Sequence, residues 1–318
     1  MGDQQEDRLR SQNQGEQGVL RIVSVSLGSS DRDHRAEVEL LGRKVIVERI
    51  GTDGDYGKAC QWIRALDGKV DAIGLGGTDL YLVAGTRRYV LEHSRRLVES
   101  AKVTPVVDGS GLKNTLERET IKWLDQTGAL PLKGKKVLLV SAVDRFGMAE
   151  AFAETGCQTI YGDLIFALGL PVPIRSLAVV NFLAFFLLPI IRRMPISLLY
   201  PVGEKQHQIE PKHQRYYQWA DIIAGDFHFI RRYLPNRLSG KSIITNTVTA
   251  NDLELLRQRG LHLLVTTTPE INGRSFGTNV MEGVLLALSG KRPETITPDD
   301  YKELLRQIGW KPRVVQFS

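Results

Sequence analysis

Five short apolar runs in the second half of the chain, VLLVSA, CQTIYGD, ADIIAGD, KSIITNTV and LHLLVTTTP, are each about one strand long and carry polar or glycine residues towards their carboxyl ends. Helical patterns stand between and around them. RFGMAEAFAETG follows the first run, and TANDLELLRQRG (249–260) separates the last two, with Thr249 or Asn251 as an N-cap. GTNVMEGVLLALSG (277–290) and PDDYKELLRQIGW (298–310) come after them, the latter with Pro298 suited to the first helical turn. Buried strands alternating with helices imply a mostly parallel sheet, so the fold class is α/β.

The first half carries the same signal. LRIVSVSLGSS (20–30) reads as a strand, 34–51 as a hairpin turning at Gly42, and 55–69 as a helix ending at Gly68. VDAIGLGG (70–77) is a buried strand, RRYVLEHSRRLVESAK (87–102) a helix, TPVVDGSG (104–111) a strand and turn, and 112–128 a helix. The expected organisation is a disordered tail (1–18), an N-terminal α/β substrate domain (19–128), and a Rossmann-like, doubly wound nucleotide-binding domain (129–318). The last carries an apolar insertion (171–201) and a C-terminal helix.

Hydrophobic residues make up 42% of the 318 and charged residues 25%, enough for a real core. The formal net charge of +6 permits an anionic ligand. The basic residues fall in scattered pairs such as Arg87–Arg88 and Arg192–Arg193, with no long basic block, which argues against a nucleic-acid partner. Two distant cysteines, Cys60 and Cys157, fit a reducing cytoplasm rather than a disulfide framework. Residues 1–18 lack the apolar core of a signal peptide, so a cytoplasmic location is expected.

One segment departs from this pattern. LAVVNFLAFFLLPII (177–191) is shorter than the about 20 apolar residues of a spanning helix. Asn181 and Pro189 interrupt it, and Arg192–Arg193 close it. It reads as a buried helix at a domain or subunit interface, or as a patch for a membrane surface or hydrophobic partner, with a true span the remaining reading. A homo-oligomer is expected.

The candidate chemistry lies at strand ends, because ligands of open parallel sheets bind beyond them. VLLVSAVDRFGMAEAF (137–152) has the strand, turn and helix of a nucleotide unit, but Gly147 stands where several glycines are usual. Asp163 ends the next strand, where a ribose-binding acid would sit. Arg145 can meet a phosphate as a bidentate donor and offset Asp144; the other reading of the stretch is a structural βα corner or a site for a different ligand. Ser141, Asn246, Thr247 and Thr266 are further polar strand ends. The expected cofactor-binding set is therefore Ser141, Asp144, Arg145, Gly147, Asp163, Asn246, Thr247 and Thr266, for NAD or NADP.

In the first half, Asp108 ends a strand and Lys113 lies in the first turn of a helix, where a cation is electrostatically out of place. Lys113 reaches an anion, pairs with Asp108, or is an exposed lysine beside an ordinary turn, and an Asp–Lys pair can move a proton at a substrate hydroxyl. Asp79, in GLGGTDLY, is a second acid. His228, just past a strand end, is a candidate acid/base or donor. The catalytic candidates are thus Lys113, Asp108 and His228. His207 and His213 lack a third ligand at metal-site spacing, so no metal is expected.

The stretches RIVSVSLGSSDRDHR, VVDGSGLKNTLER, VLLVSAVDRFGMAEAF, AGDFHFIRRYLP, ITNTVTANDLELL and TTTPEINGRSFGTN resemble bacterial proteins called quinate 5-dehydrogenases, distantly like the shikimate/quinate dehydrogenase family. That resemblance implies a substrate domain followed by an NAD(P)-binding domain, with a Lys and an Asp in the cleft between them. The sequence departs from the family at the glycine-rich turn, replaced by SAVDRFG, and in the apolar insertion. The leading expectation is an NAD(P)-dependent oxidoreductase acting on a small hydroxylated acid, quinate or shikimate by analogy. The alternative is a non-redox Rossmann-type ligand-binding or regulatory protein that docks through 177–191. A lyase or transferase using the same cleft is a third reading.

Overall fold

The computed structural model describes residues 18–84, 87–194, 209–268, 270–271 and 274–317. The expected N-terminal tail, but for Gly18, and His207 lie outside them.

The first lobe begins with β1 (Val19–Ser26), β2 (His34–Leu40), β3 (Arg43–Gly51), α1 (Tyr56–Leu66) and β4 (Ala72–Gly76). A small hairpin, β5 (Tyr81–Ala84) and β6 (Arg87–Val90), then leads to α2 (Glu92–Val98), β7 (Val106–Val107) and α3 (Ser110–Thr127). The sheet order is β2-β3-β1-β4-β7, parallel except for the β2–β3 hairpin. Residues 87–90 correct the expected helix over 87–102. They pair with Tyr81–Ala84, and the helix starts only at Glu92.

The second lobe holds β8 (Lys136–Leu139), α4 (Phe146–Glu154), β9 (Gln158–Tyr161), α5 (Leu177–Ile191), α6 (Gln214–Trp219), β10 (Ile222–Gly225) and α7 (Phe227–Arg232). It continues with β11 (Ser242–Thr245), α8 (Ala250–Gln258), β12 (Leu263–Thr266) and the short pair β13 (Glu270–Ile271) and β14 (Arg274–Ser275). After α9 (Thr278–Ser289) and α10 (Pro298–Gln307), β15 (Arg313–Gln316) closes the chain. The order is β15-β12-β11-β10-β8-β9, parallel except for β15. The expected strands became β8 to β12, and their fully buried side chains pack on both faces of the sheet. The edge strand β15 was not anticipated, because RVVQ is short and only half-buried.

The chain is therefore α/β with two sheet-bearing lobes. Helix α9, far along the sequence, packs on β1 and β4 of the first lobe, with Gly283 beside Ile22 and Ala72. Helix α3 joins the lobes. Its Leu112 and Leu116 pack with Met281, Leu285, Tyr301 and Leu305, while its Ile121 and Leu124 enter the core of the second lobe. This spine brings the carboxyl ends of the two sheets to face one another.

Helix α5 turns Val180, Ala184 and Leu188 inward, where Ala184 and Leu188 meet Leu82 and Leu91. Phe182, Phe185, Phe186 and Ile190 stand exposed on its other side. The reading of 177–191 as a buried helix holds for one face only. Among the described residues no helix is long and apolar enough to cross a membrane.

Candidate functional site

Between the lobes lies a cleft of about 670 Å³. The first lobe contributes Ser24 and Ser26 of β1, the turn at 31–34, and Gly76 to Asp79 after β4. The second contributes Asp226 to Phe229, Asn246 to Leu253, and Asp144 and Arg145. The first turn of α9, at Gly277 to Asn279, completes the wall. Helix α9 has no side-chain cap, and because its first turn lines the cleft the positive end of its dipole lies at the wall.

The floor is an ionic chain that crosses from lobe to lobe. Lys113 donates to Asp79 of the first lobe at 2.7 Å and to Asp144 of the second at 2.9 Å. Arg145 donates to Asp144 at 3.0 Å, to Asp226 at 2.7 Å and to Glu117 of α3. Asn246 donates in turn to Asp226 at 2.8 Å. Burial pushes the Asp79 carboxyl up to about 7, against the pull of Lys113. Burial also raises Asp144, but Lys113 and Arg145 outweigh it and hold that carboxyl well below the usual range. Lys113 is drawn down by burial and up by Asp144 and Asp79. The carboxylates win, so its ammonium stays charged.

This corrects three expectations. Lys113 is out of place at its helix N-terminus because it clasps Asp79 and Asp144, not Asp108. Held charged, it has no lone pair with which to accept a proton. Asp108 spends its oxygens on the backbone N–H groups of Leu80, Tyr81 and Ser110 and on the Ser110 hydroxyl.

The βα turn after β8 is closed to a pyrophosphate. Arg145 is saturated by three carboxylates. Asp163 accepts from the backbone N–H of Ala142 and Val143, so its carboxylate braces the turn instead of meeting a ribose. Gly147 donates its N–H to Asn114 Oδ1 at 3.0 Å, and a Cβ there would overlap the Asn114 backbone. Its lack of a side chain serves the close approach of α4 to α3. Gly147→Ala is expected to cost roughly 1–3 kcal/mol of stability, read by urea unfolding. An unchanged midpoint would mean the helices separate freely.

Of the sequence candidates, Asp108, Lys113, His228, Asp144, Arg145, Asn246 and Thr247 line the cleft. Ser141, Gly147, Asp163 and Thr266 do not. Thr266 is buried and donates to the Thr268 carbonyl.

Sequence reasoning missed Arg32. It sits on the short 3₁₀ turn Ser30–Arg32, pinned because Arg49 donates to the Ser29 carbonyl and to Asp33. The Arg32 Nη1 donates across the cleft to His228 Nε2 at 3.1 Å. A guanidinium cannot accept, so His228 Nε2 must be the bare nitrogen and Nδ1 carries the proton. Burial pushes His228 down to about 4, which keeps the ring neutral. Its Nδ1 is buried with no hydrogen-bond partner. Four other cleft cations meet carboxylates: Lys113 and Arg145 as above, Arg49 with Asp33 at 2.7 Å, and Arg231 with Asp252 at 3.4 Å. Arg32 has no carboxylate within ion-pair distance among the described residues, and Asp31 beside it is exposed at the rim. Burial lowers the Arg32 guanidinium, and the distant Asp252 and Asp226 only partly offset this.

Among the described residues no group of three or more His, Cys, Asp or Glu side chains could hold a metal ion. His213 packs against the rings of Phe166 and Tyr233.

A family model described as domain of unknown function DUF8754 matches residues 111–317, and a second, DUF8753, matches 21–108. No curated protein matches the sequence. Similar solved structures include an ABC transporter solute-binding protein from Burkholderia multivorans, 11% identical over 94% of this chain and 99% of that one, at a TM-score of 0.39. A sugar ABC transport substrate-binding protein from Bordetella parapertussis is 13% identical over 95% and 90% of the two chains, at 0.38. A 5-methylthioribose transporter solute-binding protein from Thermotoga lettingae is 9% identical over 93% and 95%, also at 0.38. These TM-scores are too low to transfer a ligand or a role. The structures named are transport binding proteins, not shikimate or quinate dehydrogenases, which corrects the expected resemblance. The expected NAD or NADP cofactor and the oxidoreductase activity are corrected by the occupied βα turn.

Proposed function

We propose that this chain, which belongs to the family described as domain of unknown function DUF8754, binds a small polar organic anion in the cleft between its lobes. The order of the second sheet places β8 between β9 and β10, the arrangement of a doubly wound sheet, in which ligands settle beyond the carboxyl ends of the strands. The cleft lies at those ends.

Arg32 carries the reading. A cleft-lining guanidinium whose one side-chain partner among the described residues is a neutral imidazole leaves donors and charge unspent, and a ligand carboxylate or phosphate is the natural counter-ion. The start of α9 adds a favourable dipole. Ser24, Ser26 and Thr78 offer hydroxyls to a polar ligand body. Lys113, Arg145, Arg49 and Arg231 are bound to their own carboxylates, which restricts where the ligand's charge can settle.

The test is calorimetry with sugar phosphates, sugar acids, small dicarboxylates and the matching neutral sugars. Anionic members are expected to bind, and Arg32→Ala to weaken them about 10–100-fold, the value of one charge-assisted hydrogen-bond set. A neutral sugar that binds as tightly as its acid, with Arg32→Ala unaffected, would sink the assignment.

A further inference from the structure

We propose that the outer face of α5 seats on an anionic lipid surface, lying in its plane. Phe182, Phe186 and Ile190 are 64%, 56% and 65% exposed, and Val179 and Phe185 are exposed beside them. They recur at helical spacing opposite the inward Val180, Ala184 and Leu188, so one face holds the helix to the lobe and the other is left apolar. A monomer rarely leaves so continuous an apolar face in water without a partner.

The charge around the face selects the partner. No acidic residue occurs between Asp163 and Glu204, a stretch that contains the whole helix, while Arg175 precedes it and Arg192 and Arg193 follow it. The β5–β6 hairpin packs on the helix and adds Arg87, whose guanidinium lies 4.4 Å from the centre of the Phe185 ring. Glu92, from the start of α2, is the neighbouring acid, 3.7 Å from Arg193. Aromatic and aliphatic side chains rimmed by arginines suit a headgroup–acyl boundary carrying negative charge. The fifteen-residue helix is too short to cross, which fits insertion parallel to the surface.

The experiment is co-sedimentation of the full chain with vesicles of phosphatidylglycerol and phosphatidylcholine, against phosphatidylcholine alone. Binding is expected to the anionic vesicles, weakened at least tenfold by raising the salt or by Arg192→Gln/Arg193→Gln. Phe182→Asp/Phe186→Asp should abolish it with the circular dichroism spectrum retained. As a variant that keeps the apolar face, Phe186→Trp should add a blue-shifted emission on anionic vesicles over that of the four native tryptophans. Absence of wild-type binding, equal binding to both vesicle types, or an unshifted Phe186→Trp emission would each overturn the proposal. So would a lipid-free dimer in light scattering that the Asp variant dissociates, since the face would then belong to a second copy.

Discussion

Arg145→Ala is expected to lower the thermal unfolding midpoint by roughly 5–15 °C, corresponding to about 3–5 kcal/mol for breaking a buried ionic set from one side. The guanidinium is only 4% exposed and Glu117 only 1%, so water cannot replace the lost donors. Removing Arg145 strands Glu117 and Asp226 and leaves Asp144 with Lys113 alone, three carboxylates that Arg145 now separates. The loss should be greatest at alkaline pH. In the variant Glu117, which burial already raises, and Asp226 lose their ion-pair partner, and both folded pKa values stand above the unfolded ones. Their stability is then present only at low pH and drains away as pH rises and they must ionise. At pH 5 one or more can stay protonated and the deficit shrinks. Arg145→Lys restores one charge but not the three-way fork, so it should recover only part of the midpoint. Measured melts that are equal for wild type and Arg145→Ala at pH 8 would show that the network contributes nothing to holding the lobes together.

That expectation differs in kind from the one the sequence gives for the same residue. VLLVSAVDRFGMAEAF displays its strand and helix through apolar spacing alone, and β8 and α4 form where the pattern puts them. Spacing also places Asp163 at the end of the next strand. What it cannot convey is which partner each charge takes. Arg145 faces a phosphate or a carboxylate equally well on paper, and the choice depends on Glu117 and Asp226, 28 residues before it and 81 after it, coming to the same point. Lys113 advertises itself because a cation at a helix start asks for an explanation, yet the explanation comes from Asp79 and Asp144. Arg32 carries no local signal, since DRDHR reads as an ordinary charged turn. It becomes distinctive only when the second lobe places His228 opposite it. The return of α9 to the first sheet is hidden for the same reason, because an amphipathic helix does not encode which sheet it covers.

Glu282→Gln is expected to stabilise the protein at pH 8 and above and to make little difference near pH 5. Glu282 lies inside the junction of α3, α9 and α10. One oxygen accepts from the Tyr301 hydroxyl at 3.1 Å, and the other is buried without a partner. Burial pushes its carboxyl up to about 8, and Asp108 adds to the rise. No cation forms an ion pair with it among the described residues. A folded pKa above the unfolded one means that the protonated acid is accommodated and the carboxylate is not. Its contribution is fully present below about 4.5, declines as the unfolded chain ionises and the folded one does not, and is gone once pH passes about 8. The gap amounts to at most about 5 kcal/mol and, after relaxation around the charge, to about 2–4 kcal/mol. Glutamine removes the titration and can still accept from Tyr301. Urea unfolding of both proteins from pH 5 to 9 should give curves that start together and diverge upward for the variant. If instead the variant is weaker at every pH, or both slopes are the same, Glu282 is ionised in the folded protein and has a counter-charge.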